Sequence, residues 1–146
     1  MGLLDQIRAG TFAADDSPAL ATPGRRLTLR ESGRRIDDGE DLLMVAREFL
    51  DQAGRADTHD LEAMIAERPE PTGNPRADAL LAGVAEYTAV LREARCPSWT
   101  SEAERFLDRF WFVSSEPGFR AIALAQTPVA LKRRGILWSA RSMQRV

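Results

Sequence analysis

The side chains that could perform acid–base or nucleophilic chemistry are few. The chain has one histidine, His59, and one cysteine, Cys96. A metal site built on two histidines or on four cysteines therefore cannot be assembled within one chain. Cys96 precedes a proline, and no histidine or second cysteine stands near it in the sequence to activate it as a nucleophile. We expect His59 to be a solvated residue and Cys96 to be a structural thiol.

The carboxylates also lack a catalytic or metal-binding pattern. The acidic group within 37–41 does not match a calcium-binding loop, which needs oxygen ligands at alternate positions, a glycine at the sixth and a glutamate at the twelfth. Glu102 and Glu104 are two residues apart and would lie on different sides of a helix. No phosphate-binding glycine loop, dinucleotide fingerprint or serine nucleophile elbow is present. The sequence therefore predicts no catalytic residue, no metal and no cofactor.

The composition is typical of one globular domain. The chain has 146 residues, of which 44% are hydrophobic and 29% charged, and its formal net charge is −2. No apolar run approaches the roughly 20 residues that a transmembrane helix needs. Residues 1–10 lack the basic start and the apolar middle of a signal peptide. We expect a cytoplasmic protein that has no membrane partner.

Helix signals follow one another from Asp37 onward. Apolar residues recur every three or four positions within 42–50, after Asp37 or Asp38 as a cap and acidic residues suited to a first turn, and they predict a helix that ends at Gly54. Capping residues predict further helices after Asp57 or Thr58 and after Asn74 and Pro75. The capping box of Ser101 and Glu104 predicts a helix as far as Phe110, and another is predicted from about Phe119 to Gln126. Thr127 and Pro128 begin a helix that is predicted to reach Gly135, and a last turn follows Ser139. Only 26–30 and 136–138 favour short strands. We predict an all-α fold, a compact multi-helix domain.

Domain boundaries are indicated at two places. Residues 1–35 contain few large apolar side chains and several glycines and prolines, which predicts a mobile, arginine-rich N-terminal arm in front of a helical domain over 36–146. Within that arm, Leu3, Leu4, Ile7 and Phe12 could form a short amphipathic turn that docks on the domain or on a partner. The proline-rich segment 69–73 is either a boundary between two subdomains or an ordinary connection.

Aromatic residues are concentrated between Trp99 and Phe119. Successive residues of a helix are about 100° apart, so Phe110, Trp111 and Phe112 cannot all face one core. Two interpretations stay open. Either the helix ends here and the irregular chain wraps the rings into the core, or Trp111 or a neighbour is an exposed anchor for a partner protein.

Arginine-rich groups are the other candidates for contacts with a partner. Such residues can contact DNA phosphates or the carboxylates of a partner protein. A third possibility is that the basic segment 25–35 neutralises the acidic segment 36–70 of the same chain. The predicted partner-binding residues are Arg25, Arg26, Arg30, Arg34, Arg35, Trp99, Trp111, Phe112, Lys132, Arg133 and Arg134.

Residues 67–146 resemble a small helical module of bacterial toxin–antitoxin operons. The resemblance is carried, in this order, by RPEPTGNPR at 68–76, DALL at 78–81, PSWT at 97–100, RFLDRFWF at 105–112, AL at 123–124 and TPVALKRRGI at 127–136. It implies a non-catalytic antitoxin or regulator, encoded beside a toxin for which a nucleotidyltransferase-like fold is expected.

The resemblance suggests how such a protein would act. An antitoxin would bind its toxin and occlude the active site, either with arginines that reach carboxylates or with an acidic segment that occupies a basic groove. The alternative is a nucleic-acid-binding transcriptional regulator that uses the arginine-rich patches. Related proteins often carry an N-terminal helix-turn-helix, and residues 1–66 show no such motif, which favours the antitoxin.

Overall fold

The structure, a computed structural model, describes residues 26–144. The helices are α1 (Leu29–Asp37), α2 (Leu42–Arg55), α3 (Thr58–Ala66), α4 (Pro75–Leu91), α5 (Arg120–Gln126), α6 (Val129–Lys132) and α7 (Ala140–Met143). Short 3-10 turns cover Ser98–Ser101, Ala103–Arg105 and Pro117–Phe119, and the strands are β1 (Trp111–Phe112) and β2 (Ile136–Leu137). The prediction of an all-α, compact multi-helix domain is confirmed.

Local capping signals explain where several helices begin. The Asp57 side chain accepts a hydrogen bond from the Asp60 N–H and caps α3. Asn74 caps α4 and Pro75 follows at the first helical position, where the missing N–H does no harm. The cap of α2 is Asp41, rather than Asp37 or Asp38 as predicted, because α1 continues through Asp37.

Helix α4 is the centre of the domain. Every residue from 77 to 85 is buried, so other elements cover this helix on all sides. Helices α1, α2 and α3 pack against it, as do α6 and the first two 3-10 turns. One hydrophobic core includes Phe49 and Leu61 from before the 69–73 segment and Leu80 and Leu131 from after it. The segment 69–73 is therefore an ordinary connection.

The N-terminal part of the described chain differs from the prediction. Thr28 and Glu31 form a capping box, and Leu29, Ser32, Gly33 and Ile36 are buried on one face of α1. The prediction that residues 26–35 belong to a mobile arm is wrong, and so is the predicted strand over 26–30. Because Gly33 has no side chain, α1 can pack closely against the chain at Pro69. A Cβ on Gly33 would lie only 3.2 Å from the Cβ of Pro69.

The predicted arm residues 1–25, which include Arg25 and the possible amphipathic turn, lie outside the described residues. The same holds for Arg145 and Val146 at the other end of the chain.

The helix predicted after Ser101 also does not form. The chain makes two 3-10 turns and then enters β1, which pairs in parallel with β2 so that Trp111 lies opposite Ile136. Gly135 has φ of 86°, a left-handed conformation that favours glycine, and the carbonyl of Arg109 would lie 3.4 Å from a Cβ at this position. Long-range packing against 134–137 therefore overrides the local helix signal.

The buried side chain of Arg105 attaches this irregular segment to the rest of the domain. Its side chain is 2% exposed. The guanidinium donates to the carbonyls of Pro69 at 2.9 Å and Asp78 at 3.3 Å, and it lies 4.8 Å from the ring centre of Trp99. The first 3-10 turns are thereby joined to α4 and to the chain before it.

Arg134 is a second buried arginine with a similar role. Its guanidinium donates to the carbonyls of Thr100 at 2.7 Å and Ala130 at 2.8 Å, and it is also bonded to the Glu86 carboxylate. Burial lowers the pKa of Arg134, and the hydrogen bond to Glu86 acts in the opposite direction. Arg134 thus links α6, α4 and the first 3-10 turn.

We predict that Gly83→Ala destabilises the domain by about 2 kcal/mol, because overpacking a filled core costs this order of free energy. A Cβ at residue 83 would overlap Leu131 Cδ2, and Leu131 is fully buried. Urea unfolding measures the change. The matched control is Gly54→Ala, where nothing lies within 4 Å of the added Cβ and where we expect stabilisation of about 0.5 kcal/mol. Equal and small effects of both substitutions would contradict close packing of α4 on α6.

We predict that Arg105→Met lowers the free energy of unfolding by about 3 kcal/mol, because buried carbonyl groups lose their hydrogen-bond donor. The control is Arg109→Met, an exposed arginine in the same segment, which should change stability by less than about 0.5 kcal/mol. Chemical denaturation of both variants gives the comparison, and indistinguishable midpoints would mean that Arg105 does not anchor the segment.

Candidate partner-binding surface

Helix α5 presents apolar side chains to solvent. Its sequence is RAIALAQ, yet Ala123 is its only buried residue. Ile122 and Leu124 are both exposed, Leu124 to 49%. A surface helix normally buries its apolar side against the core. Helix α5 therefore has apolar area that the described part of the domain leaves uncovered.

The side chain of Phe112 connects α5 to the strand β1. Phe112, Phe119 and Ile122 line a small cavity of about 110 Å³ between the strand and the helix. The Arg120 guanidinium lies 4.9 Å from the centre of the Phe112 ring, close enough for a cation–π contact. Phe112 is half-buried, whereas Phe119 is exposed.

On the other side of β1 lies an open hollow of about 410 Å³. Asn74, Arg76, Arg109, Phe110 and Trp111 are among the residues that line it. The Arg76 guanidinium lies 5.1 Å from the centre of the Trp111 ring, which is itself buried. The Phe110 side chain is 70% exposed. We use the term β1 surface for Arg76, Arg109, Phe110 and Trp111 on this side and Phe112, Phe119, Arg120 and Ile122 on the other.

In the described chain the arginines of the β1 surface are not held in ion pairs, although Asp108 lines the same hollow as Arg76 and Arg109. Within 26–144, no ion pair joins Arg76, Arg109 or Arg120 to an acidic side chain. Arg76 and Arg120 contact aromatic rings instead. The surface therefore combines exposed apolar area with free positive charge, which is the combination found in the energetically important parts of protein interfaces.

The arginines near the N-terminus are used within the domain. Arg35 pairs with Glu40 at 2.7 Å and with Glu48 at 3.0 Å, and Arg30 pairs with Glu67 at 2.9 Å. Hydrogen bonding from Arg35 lowers the pKa of Glu40 below its ordinary value. Arg26 lies 3.7 Å from Asp60. Of the three interpretations of this basic segment, neutralisation of the acidic segment is the one that these contacts match.

The other predicted partner-binding residues divide between interior and surface. Trp99, Trp111 and Arg134 are buried, so the prediction that they contact a partner directly is wrong for Trp99 and Arg134. Trp111 forms the inner wall of the hollow, and the exposed ring is that of its neighbour, Phe110. The buried Trp111 is what the first open interpretation expected, and the exposed ring of its neighbour Phe110 is what the second required.

Three of the predicted residues remain at the surface. Arg34 is exposed. Arg133 is exposed but pairs with Glu86 at 3.1 Å, and the Lys132 ammonium donates to the Leu124 carbonyl at 2.6 Å.

The sequence interpretation missed Arg76, Arg109, Arg120 and Ile122, and it included Phe110 only as an unspecified neighbour of Trp111. A helix was predicted through 105–110, and a helical projection gives no indication of which of the three rings is outermost. The sequence of α5 did contain a signal for an exposed apolar side chain. RAIALAQ has apolar residues on more than one side of a helix, so a helix at the surface cannot bury all of them.

The residues first considered for chemistry do not form a site. His59 is exposed, as predicted, and Cys96 is also exposed, with its Sγ 3.5 Å from the Thr100 hydroxyl oxygen. Within residues 26–144, no group of three or more His, Cys, Asp or Glu side chains could hold a metal ion. No helix in the same range combines the length and apolar character needed to cross a membrane.

Comparison with family models, with curated proteins and with solved structures finds no match for this chain. A functional proposal therefore depends on the geometry of the β1 surface and on the sequence resemblance.

Proposed function

We propose that this protein is a non-catalytic antitoxin that binds a partner toxin through the β1 surface and occludes the toxin's active site. The observation that carries the proposal is that α5 leaves Ile122 and Leu124 exposed beside the exposed ring of Phe119, while the Phe110 ring is exposed on the other side of β1. The resemblance of residues 67–146 to a toxin–antitoxin module supplies the class of partner, a cytoplasmic toxin with a nucleotidyltransferase-like fold.

The apolar side chains of this surface can supply the binding energy. Full burial of one phenylalanine or isoleucine side chain in an interface contributes about 1.5 to 3 kcal/mol. Phe110 is suited to be the central anchor, because it is the most exposed apolar side chain of the β1 surface and Arg76 and Arg109 line the hollow beside it. Large aromatic residues in such positions dominate the affinity of many protein complexes.

The arginines can supply the specificity. Arg109 and Arg76 can donate paired hydrogen bonds to carboxylates on the toxin. In an enzyme that transfers nucleotidyl groups, such carboxylates hold the metal ion in the catalytic cleft. Arginine side chains bound there would exclude both the metal and the substrate phosphate, so the antitoxin would act without any chemistry of its own.

We predict that Phe110→Ala weakens binding to the toxin encoded beside this protein by about 30-fold, which corresponds to the roughly 2 kcal/mol that defines a hot spot. Ile122→Ala should have an effect in the same direction. The matched control is Met44→Ala, because Met44 is 65% exposed on α2, outside the β1 surface. Calorimetric titration measures the dissociation constants, and thermal unfolding verifies that the variants are folded.

Two results would count against the proposal at different levels. If Phe110→Ala and Ile122→Ala bind as tightly as the native chain, the β1 surface is not the interface. If the toxin stays fully active at an equimolar amount of the native chain, the protein is not its antitoxin.

A transcriptional regulator is the second candidate, and one observation favours it. The arginines around the exposed Phe110 ring have no carboxylate partner in the described chain, and free arginines on one face are what phosphate contacts require. Against it, Arg26, Arg30 and Arg35 are neutralised by acidic residues of the same domain.

If the regulator interpretation is correct, we predict that the logarithmic salt dependence of binding to the operon's promoter duplex falls by about 0.9 in Arg109→Gln, the contribution of one phosphate contact. Arg95→Gln is the control, since Arg95 is exposed and lies outside the β1 surface. Fluorescence anisotropy at several salt concentrations measures the slope. Absence of binding at low salt would exclude this second function.

A further inference from the structure

We propose that a groove between α2, α4 and α7 binds the N-terminal segment of this same chain, through Leu3, Leu4 and Ile7. The proposal goes beyond the proposed function, because the groove shares no residue with the β1 surface. It concerns what covers a second apolar region of the domain.

The groove is large enough for a few apolar side chains. It has a volume of about 420 Å³, and its walls are the second half of α2, the C-terminal end of α4 and the inner side of α7. Leu50, Tyr87, Leu91 and Met143 give it an apolar lining. Leu91, the last residue of α4, is 59% exposed.

The rim of the groove is positively charged. Arg47, Arg55 and Arg92 line it, together with Asp51. Among the contacts within 26–144, only Arg55 is in an ion pair there, with Asp51. Arg47 donates to the carbonyl of Ser142 at 3.2 Å, and Arg92 donates to the carbonyl of Ala53 at 2.9 Å. Both are bonded to neutral carbonyl groups, so their charge is available to an acidic occupant.

The N-terminal segment has the complementary charge. Residues 1–24 contain Asp5, Asp15 and Asp16 against a single basic residue, Arg8. Opposite charges across an interface favour the correct partner and its orientation. Asp5 lies between Leu4 and Ile7, so a carboxylate would reach the arginine rim when the apolar residues enter the groove.

The apolar residues of the segment have the spacing that a groove requires. Leu3 and Ile7 are four residues apart, which places them on the same side of a helical turn, with Leu4 beside them. A short amphipathic turn laid in an apolar groove is a common mode of peptide recognition.

The chain enters the domain at a suitable place. The Leu27 N–H donates to the Gln52 side chain at 2.8 Å, so the segment before it joins the domain beside α2, the helix that forms one wall of the groove. The 17 residues between Arg8 and Arg26 can span up to about 60 Å when extended. That length exceeds the roughly 30 Å diameter of a domain of this size, so the segment can reach the groove.

Trypsin cleavage after Arg8 in the full-length chain tests the proposal. The Leu91→Glu substitution places a carboxylate in the apolar groove at an exposed position, and Leu3→Asp disrupts the segment instead. We expect both variants to release peptide 1–8 about tenfold faster than the native chain, because proteolysis follows the population of the open form. Met44→Glu, at a similarly exposed position outside the groove, should be cleaved at the native rate.

The outcomes separate the possible occupants. Native cleavage as fast as that of Leu91→Glu would overturn the proposal, and so would equal acceleration by Met44→Glu. Protection that disappears when the chain is diluted to nanomolar concentration would assign the groove to a second copy. Protection that appears only after the toxin is added would assign it to that partner. If Leu91→Glu does not fold, as judged by circular dichroism, Leu3→Asp alone decides the result.

Discussion

The complete burial of residues 77–85 of α4 is the constraint on which the other contacts depend. A helix that is covered on all sides needs neighbours on all sides, and the small residues along it, Gly83 among them, let those neighbours come close. Helices α1, α2 and α3 cover part of it, and the rest is covered by α6 and by an irregular segment that contains two 3-10 turns. Irregular chain in the interior leaves carbonyl groups that need donors, and Arg105 and Arg134 donate to them from inside the protein.

This arrangement determines which groups are left for an interface. Because Trp111 turns inward beside α4, Phe110 and the helix α5 lie on the outside, where the described chain does not cover them. Arginine, which accounts for nearly all of the basic residues, has three separate uses. Arg105 and Arg134 satisfy buried carbonyls, Arg30 and Arg35 neutralise acidic side chains, and the arginines of the β1 surface contact only rings or solvent. The first two groups are engaged within the domain, which is why the proposed interface lies at the β1 surface rather than at the arginine clusters that are conspicuous in the sequence.

The proposed function needs only binding and steric exclusion. The β1 surface offers exposed apolar groups with free positive charge, whereas the groove between α2, α4 and α7 offers an enclosed apolar lining with an arginine rim. The two regions differ in shape and belong to different elements, so a toxin and the N-terminal segment could be bound at the same time. A domain built in this way would neutralise a partner by covering it.

The sequence by itself determined the features that depend on residues only a few positions apart. The caps at Asp57, Asn74 and Ser139, the buried face of α2 at Val45 and Phe49, and the left-handed Gly135 all follow from local hydrogen bonding, helical periodicity or backbone sterics. The sequence also indicated that Phe110, Trp111 and Phe112 cannot all face one core, but it did not indicate which ring would be outermost. Only the tertiary structure decided that α1 is part of the domain, that 101–110 is not a helix, and that Phe110 is exposed while Trp111 is buried. These outcomes depend on contacts between distant residues, such as Arg105 with Pro69 and Arg134 with Thr100, and such contacts have no signature in local spacing.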